Sequence, residues 1–273
     1  MVVVDGLQRL STFKRFSDGE LKLRLPDRPE LDGKRFSDLS PKYQNRVEDC
    51  NLIFYIIDSN APERARLDIF ERVNGGEELT RQQMRNCLYM GKATKFLKFE
   101  AQTDIFLKAT GNSLNRKKMR DREFVNRFSA FHVLGPEAYH RDDMDAFLAR
   151  SLCRMNDMTD AALADLSASF RRGLGNNFLL FERQAFRKHE PEQEKRGVIN
   201  ASLWDVMSTG LSHYSKQQVE AHADSLRDAV YYLLWDEPFN TAITYGPNDP
   251  RKVKTRFEMA RKALREVLGD HPN

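Results

Sequence analysis

Long apolar runs are missing from this chain of 273 residues, and its first residues lack the charged-then-apolar pattern of a secretory signal. These two absences predict a cytoplasmic protein with no part in a membrane. Hydrophobic residues still make up 40% of the sequence, which is enough for a buried core and excludes a disordered chain. The length suits one large domain or two modest ones.

Cysteine is also scarce. Cys50, Cys87 and Cys153 are odd in number, lie far apart and show no C-x-x-C spacing. The pattern indicates neither a disulfide framework nor a zinc site. Each cysteine is therefore predicted to be a small buried apolar residue.

Several common catalytic motifs are missing as well. The six histidines form neither an H-E-x-x-H pair nor an H-N-H nuclease pattern, and no G-x-S-x-G or Walker loop occurs. The sequence therefore gives no sign of the enzyme classes that these motifs define.

Charge is nearly balanced over the whole chain but not along it. The 44 basic and 40 acidic residues leave a net charge of +4. One basic cluster comprises Arg116, Lys117, Lys118, Arg120, Arg122 and Arg127. A second cluster of basic residues runs from Arg251 to Arg265. Such clusters are typical of surfaces that bind nucleic acid, and equally of solvated helix faces, which is the favoured interpretation for the terminal helix.

The first basic cluster is followed by phenylalanines at helical spacing, namely Phe124, Phe128 and Phe131. We expect the phenylalanines to be buried, so that the basic residues gather on the opposite, exposed side. The candidate nucleic-acid-binding residues are Lys117, Lys118, Arg120 and Arg122. They predict weak, salt-dependent binding of duplex DNA without sequence specificity. The alternative is that they only solvate the helix or pair with Asp121 and Glu123.

The first residues of the chain predict a strand, a tight turn and a helix. Val2–Val4 are β-branched, Asp5 and Gly6 favour a turn, and apolar residues then recur every three positions. The free N–H groups at the start of a helix favour an anion, and Gly6 would let a phosphate come close. Arg9 lies one turn into the helix and could bind that phosphate with a forked pair of hydrogen bonds.

Asp5, at the end of the strand, could hold a metal ion or orient a water. The simpler alternative is a turn with a capping carboxylate, followed by a solvated Arg9.

Two further segments predict strands. Leu21–Leu25 alternates leucine with a basic residue, and Asn51–Ile57 is continuously apolar after its first residue, as in a central strand. With Val2–Val4 they would form a small sheet.

The rest of the chain predicts helices. Ser40 and Pro41 start a short helix, and Thr80 and Gln83 form a capping box for another. The later predicted helices span 94–109, 121–134, 142–155, 159–187, 200–214, 215–235 and 249–268.

Two blocks of the sequence resemble a known family. Asp5–Thr12 (DGLQRLST) is similar to the D-G-Q-Q-R-L-[ST]-[ST] signature in the N-terminal domain of GmrSD-type modification-dependent restriction systems. Ile69–Asn86 (IFERVNGGEELTRQQMRN) resembles a second motif of that family, F-x-R-[LV]-N-x-G-x-x-L-[ST]-x-x-E-[LI]-R-N. A weaker similarity continues through Met119–Phe128.

The resemblance implies an α+β fold with a small mixed β-sheet, a ParB/sulfiredoxin-like core that is incomplete at its N-terminus, and a mainly α-helical region after it. Residues 1–91 would form the truncated nucleotide-binding domain and residues 92–273 a helical domain. Members of the family carry a P-x-[FY]-Q-R-x-[FY]-x-W segment ahead of the signature, whereas this sequence begins at the strand. Hydrolysis is therefore expected to be very slow.

The resemblance also implies the residues of a site. Asp5, Gln8 and Arg9 would be catalytic, with Asp5 as the ligand of a Mg²⁺ ion. The nucleotide-binding residues would be Gly6, Arg9, Ser11, Arg72, Asn74 and Arg85. Leu7 replaces a glutamine of the signature and is expected to pack on the stripe of Leu10 rather than to bind.

The implied function is a nucleotide-binding, NTP-hydrolysing domain of a restriction or phage-defence system that acts with a separate nuclease or other effector protein. The alternative is a ParB-like module that binds DNA or protein and has lost hydrolysis.

Overall fold

The computed structural model describes residues 6–54, 69 and 79–269. The chain divides into two compact units, Met1–Leu79 and Thr80–Asn273. Each unit is described by itself below.

The described part of the first unit contains two α-helices. α1 spans Leu7–Ser17, and α2 spans Pro41–Glu48 after a single 3-10 turn at Phe36–Asp38. Ser40 is the N-cap of α2 and Pro41 its first residue, as predicted. Proline suits this position because its fixed φ matches the helix and its missing N–H group would have had no partner there.

The predicted α+β fold with a ParB/sulfiredoxin-like sheet is wrong: the structure is mainly α-helical. Within the described ranges the strand-type pairing is limited to one isolated antiparallel bridge between Arg187 and Ile199. Val2–Val4 and residues 55–57 of the third predicted strand lie outside these ranges.

Leu21–Leu25 forms a local loop instead of a strand. The Leu23 N–H donates to the Lys34 carbonyl at 2.8 Å, and the Leu23 carbonyl accepts from Gly33 at 2.9 Å. The Leu25 N–H donates to the Asp32 carboxylate at 2.7 Å. These bonds close a local loop that contains two prolines. The alternating leucines therefore do not pair with another strand of a sheet. They stay half-buried or exposed.

The prediction of a central strand at Asn51–Ile57 is also wrong for residues 51–54, the part that the structure describes. The side chains of Leu52, Ile53 and Phe54 are 47%, 81% and 62% exposed. A strand covered on both faces would bury all three.

The described part of the second unit is a bundle of α-helices. They are α3 Arg81–Leu88, α4 Lys92–Glu100, α5 Asp104–Thr110, α6 Arg120–Val133, α7 Met144–Asn156, α8 Asp160–Phe181, α9 Ala201–Leu211, α10 Lys216–Ala221, α11 Ala223–Trp235, α12 Glu237–Thr244 and α13 Pro250–Leu268. No helix in the described part of the chain is both long and apolar enough to cross a membrane.

Trp204 on α9 lies at the centre of the bundle and is fully buried. Its ring contacts those of Phe106, Phe124, Phe170 and Phe186, with centroids 4.4–6.3 Å apart. Its indole N–H donates to the Phe124 carbonyl at 2.9 Å, so the polar atom of this large side chain is satisfied. α9 is therefore the element around which the other helices pack.

The aromatic face of α6 is buried as predicted. Phe124, Phe128 and Phe131 are at most 1% exposed. The cysteine prediction is wrong for two of three residues, since Cys50 and Cys153 are exposed and Cys87 is partly buried.

Candidate functional site

The start of α1 brings together two of the predicted phosphate-binding residues. Gly6 is the N-cap, with φ +83° and ψ 5°, and among the residues that the structure describes no side chain caps the helix. A Cβ atom placed on Gly6 would lie 3.5 Å from Nη2 of Arg9, so the Arg9 guanidinium folds back over the start of its own helix. Gln8, Arg9 and Ser11 are exposed. The junction thus places a cation beside a helix start that has no capping side chain.

The packing role expected for Leu7 is wrong. Its side chain is 63% exposed, and α1 contains no buried residue. Asp5, Arg72 and Asn74, which were predicted to complete the site, lie outside the described residues.

Arg85 has partners within the second unit. Its side chain on α3 is 5% exposed, and Nη1 donates to the Asp145 carboxylate of α7. Nε and Nη2 both donate to the Gln82 side-chain oxygen, at 3.2 and 3.0 Å. Burial lowers the pKa of Arg85, against the opposing effect of Asp145. These contacts support a structural role, in which Arg85 ties α3 to α7.

The basic segment before α6 is held through its backbone. Gln83 Nε2 donates to the Lys117 carbonyl at 3.0 Å, and the Thr80 hydroxyl donates to the Lys118 carbonyl at 2.9 Å. Both lysine side chains are exposed. The segment therefore presents two cations from a fixed backbone.

The two arginines that follow are engaged with neighbours. Arg120 pairs with Glu123 at 2.7 Å and lies 5.1 Å from the centre of the Phe124 ring. Arg122 donates to the Asn86 side-chain oxygen at 3.2 Å. Of the four predicted nucleic-acid-binding residues, the two lysines are the more available.

Two members of the basic clusters are buried and belong to the core. Arg127 on α6 donates through Nε and Nη2 to the two carboxylate oxygens of Asp205, at 2.8 and 2.6 Å. Arg256 on α13 donates to the same carboxylate at 3.0 Å, and burial lowers its pKa to about 10. Buried charges require such pairing. The solvated-face interpretation of the terminal helix is therefore wrong for Arg256, which is 0% exposed.

A groove on α8 was not predicted. It has a volume of about 780 Å³, and its lining includes Arg171, Arg172, Gly175, Phe178 and Lys216. A second, smaller cavity of about 210 Å³ lies between α9 and α13. The pattern Arg171-Arg172-Gly173-x-Gly175 inside a long helical segment is the signal that could have pointed to the groove, because glycine inside a helix needs a separate reason.

In the part of the chain that the structure describes, no group of three or more His, Cys, Asp or Glu side chains is placed to hold a metal ion.

Comparisons with protein-family models, with curated proteins and with solved structures gave no match.

Proposed function

We propose that the first unit binds the phosphates of a nucleoside triphosphate at the start of α1, as part of a restriction or phage-defence system. The observation that carries the proposal is the position of the Arg9 guanidinium over Gly6, at a helix start where the N-cap residue has no capping side chain of its own. Backbone N–H groups at such a start attract an anion, and an arginine beside them adds two further donors. The similarity of Asp5–Thr12 to a nucleotide-binding signature supports the same ligand.

The residues at the start of α1 have separate roles in this proposal. The N–H groups after Gly6 and the Arg9 side chain bind phosphate, and Gln8 and Ser11 line the entrance. Asp5 holds a Mg²⁺ ion or orients the attacking water. One carboxylate together with phosphate oxygens and waters suits Mg²⁺, which retains several waters in most protein sites.

Hydrolysis and cutting are assigned to different proteins. The sequence contains no nuclease motif of the kinds sought, so a separate effector would cut the nucleic acid. This chain would then supply nucleotide-dependent control.

Calorimetry with ATP and GTP, each with and without Mg²⁺, tests the proposed site. Arg9→Ala removes one charge-assisted hydrogen-bonding group from the phosphate, which should cost about 1.5–3 kcal/mol or roughly ten- to a hundredfold in affinity. Arg15→Ala is the matched control, because Arg15 lies on the same helix in its last turn, away from Gly6. Equal binding by wild type and Arg9→Ala would exclude the site.

A second candidate function is the binding of duplex DNA by the segment that carries Lys117 and Lys118. The observation that favours it is the pair of hydrogen bonds that fix the backbone of both lysines while their side chains stay exposed. A fixed pair of cations can contact the phosphate backbone but reads no sequence.

A salt titration tests the second candidate. Changing Lys117 and Lys118 together to alanine should lower the slope of log affinity against log salt by about 0.9 for each phosphate that the variant no longer neutralises. A slope unchanged from wild type would remove this surface from consideration.

A further inference from the structure

The groove on α8 combines cationic and apolar walls. Its lining includes three cations, Arg171, Arg172 and Lys216, against one carboxylate, Glu220. Ile105, Phe178 and Leu179 supply apolar surface. Phe178 and Leu179 are only partly buried, so their side chains remain available to a ligand. Because cations outnumber carboxylates in this lining, the groove suits a ligand that carries negative charge together with apolar surface.

Gly175 in the floor of the groove has no structural explanation within the fold. A Cβ atom on Gly175 would meet nothing within 4 Å, and its φ is not in the left-handed region. Gly173 is different, because a Cβ there would lie 2.2 Å from the Ser208 carbonyl oxygen. Glycine inside a helix is unfavourable relative to alanine. Close packing against α9 therefore explains the glycine at 173 but not the glycine at 175. A groove that must stay open for a ligand would explain the absence of a side chain at Gly175.

Arg172 and Lys216 carry positive charges that no buried carboxylate neutralises in the described contacts. Arg172 is exposed, and the contacts of its guanidinium that are described are with two uncharged oxygens, the Ser212 carbonyl at 2.7 Å and the Ser169 hydroxyl at 3.3 Å. Lys216 is exposed at the start of α10. Neither side chain has to leave a buried ion pair in order to meet an anion.

Arg171 extends the groove towards an exposed aromatic ring. Its guanidinium binds the fully buried Glu100 carboxylate at 2.9 and 3.0 Å, which fixes its position. The same guanidinium lies 5.4 Å from the centre of the Phe99 ring, and Phe99 is 62% exposed. Phe99 thus places an exposed aromatic ring beside Arg171, and Phe178 in the groove lining supplies a second, partly buried ring.

We propose that the α8 groove binds single-stranded nucleic acid, with Arg172 and Lys216 on the phosphates and Phe99 and Phe178 as stacking surfaces for bases. Proteins that bind single strands combine a positively charged groove with exposed aromatic side chains in this way. In a duplex the faces of the bases are stacked on one another and cannot reach the phenylalanines. The proposal concerns the second unit and does not depend on the nucleotide site of the first.

Fluorescence anisotropy on the full chain tests the proposal. The probe is a labelled thymidine strand of about 12 nucleotides, within the range of known single-strand sites, without Mg²⁺ or triphosphate. Changing Arg172 and Lys216 together to glutamine should weaken binding and lower the salt slope by about 0.7 for each phosphate that is no longer neutralised. Phe99→Ala should weaken binding roughly fivefold to a hundredfold, the usual effect of removing one stacking surface.

Gly175→Leu is the decisive variant, because it fills the floor of the groove without changing charge. Since a Cβ at this position meets nothing, the variant should fold and still lose affinity for the strand. A matched control removes two exposed lysines from α13, with Lys254 and Lys262 both changed to glutamine. This control should bind the strand as wild type does.

Four results would overturn the proposal. They are no binding of the strand by wild type, unchanged binding by Gly175→Leu, an equal loss of binding in the α13 control, and equally tight binding of a duplex through the same residues. The Arg9→Ala variant should bind the strand normally. Failure of the groove and failure of the nucleotide site can therefore be told apart.

Discussion

At the scale of single residues, the two glycines of α8 provide a direct comparison of packing with backbone propensity. Gly173 lies against α9, where any side chain would meet the backbone of Ser208. Gly175 faces open space on the same helix. The two positions are two residues apart, yet the structure requires glycine at only the first.

We predict opposite effects of alanine at these positions. Gly173→Ala should destabilise the protein by about 1–3 kcal/mol, because α8 and α9 must move apart. Gly175→Ala should stabilise it by up to about 1 kcal/mol, because alanine restricts the unfolded chain and favours the helix. Urea unfolding followed by circular dichroism measures both. Equal effects of the two substitutions would contradict the packing of α8 on α9.

His132 is a partly buried titratable residue on α6. Its ring stacks on Phe128 with centroids 5.1 Å apart and faces the His213 ring at 5.7 Å. Nδ1 is buried without a hydrogen-bond partner in the described structure. Burial lowers the pKa of His132 below its usual 6.5, and the positive charge of Arg172 lowers it further.

The lowered pKa of His132 predicts a loss of stability in acid. Below about pH 6.5 the histidine of the unfolded chain takes up a proton, whereas His132 in the folded protein does so only at a lower pH. The contribution of neutral His132 to the free energy of unfolding is therefore complete above about pH 6.5 and declines as the pH falls towards the pKa of the folded state. His132→Gln should reduce the slope of unfolding free energy against pH in this window. The exposed His140, changed to glutamine, is the control. If both variants keep the wild-type slope, another group causes the acid sensitivity.

At the scale of elements, the start of α3 is fixed by a capping box. Thr80 Oγ1 accepts from the Gln83 N–H at 3.2 Å, and Gln83 Oε1 accepts from the Thr80 N–H at 2.7 Å. The Thr80 hydroxyl also donates to the Lys118 carbonyl. One side chain thus caps a helix and anchors the basic segment 115–118.

We predict that Thr80→Ala destabilises the protein by about 0.5–2 kcal/mol, the usual effect of losing an N-cap. Thr80→Ser retains the hydroxyl and should stay close to wild type. Thermal unfolding compares the two variants. Hydrogen exchange at residues 115–118 should become faster in Thr80→Ala alone. Protection equal to wild type there would show that the anchor lies elsewhere.

Other element boundaries differ from the predictions. The predicted helix 94–109 is two helices, α4 and α5, separated at Ala101–Thr103. The predicted helix 215–235 is likewise divided at His222, and α12 was not predicted. The apolar stripe continues from α4 into α5, so the sequence pattern does not show the break between them. The end of α4 is fixed by the buried contact of Glu100 with Arg171, which lies on the distant helix α8.

At the scale of the whole molecule, the second unit has its own core. Its buried cluster begins at Ala93 and ends at Leu264, and both tryptophans, Trp204 and Trp235, belong to this unit. Met84 and Arg85 on α3 are also buried within it, at 3% and 5% exposure.

We predict that a fragment of residues 80–273 folds alone and unfolds cooperatively. A fragment of residues 92–273, which starts at the boundary predicted from the sequence, lacks α3 and leaves Asp145 without Arg85. It should be less stable by about 2 kcal/mol or more, since a buried methionine is removed with the helix. Urea unfolding followed by tryptophan fluorescence compares the two. Equal stability would favour the boundary at 91/92.

The sequence by itself determined the features that depend on neighbours along the chain. The proline start of α2, the capping box of α3 and the buried face of α6 each follow from residues within a few positions of one another. Helix caps and a 3.6-residue period are local, so their physical cause is visible in a short stretch. The turn at Gly6 ahead of Arg9 is another feature that depends only on residues close in sequence.

Tertiary structure alone decided which charges are buried and whether apolar stretches form a sheet. Arg127 and Asp205 are 78 positions apart, so nothing near Arg127 distinguished it from its exposed basic neighbours. The alternating leucines at 21–25 needed partner strands that the described chain does not supply. The α8 groove likewise requires α8 and α10 to meet. Burial and strand pairing depend on residues distant in sequence, which a local pattern cannot contain.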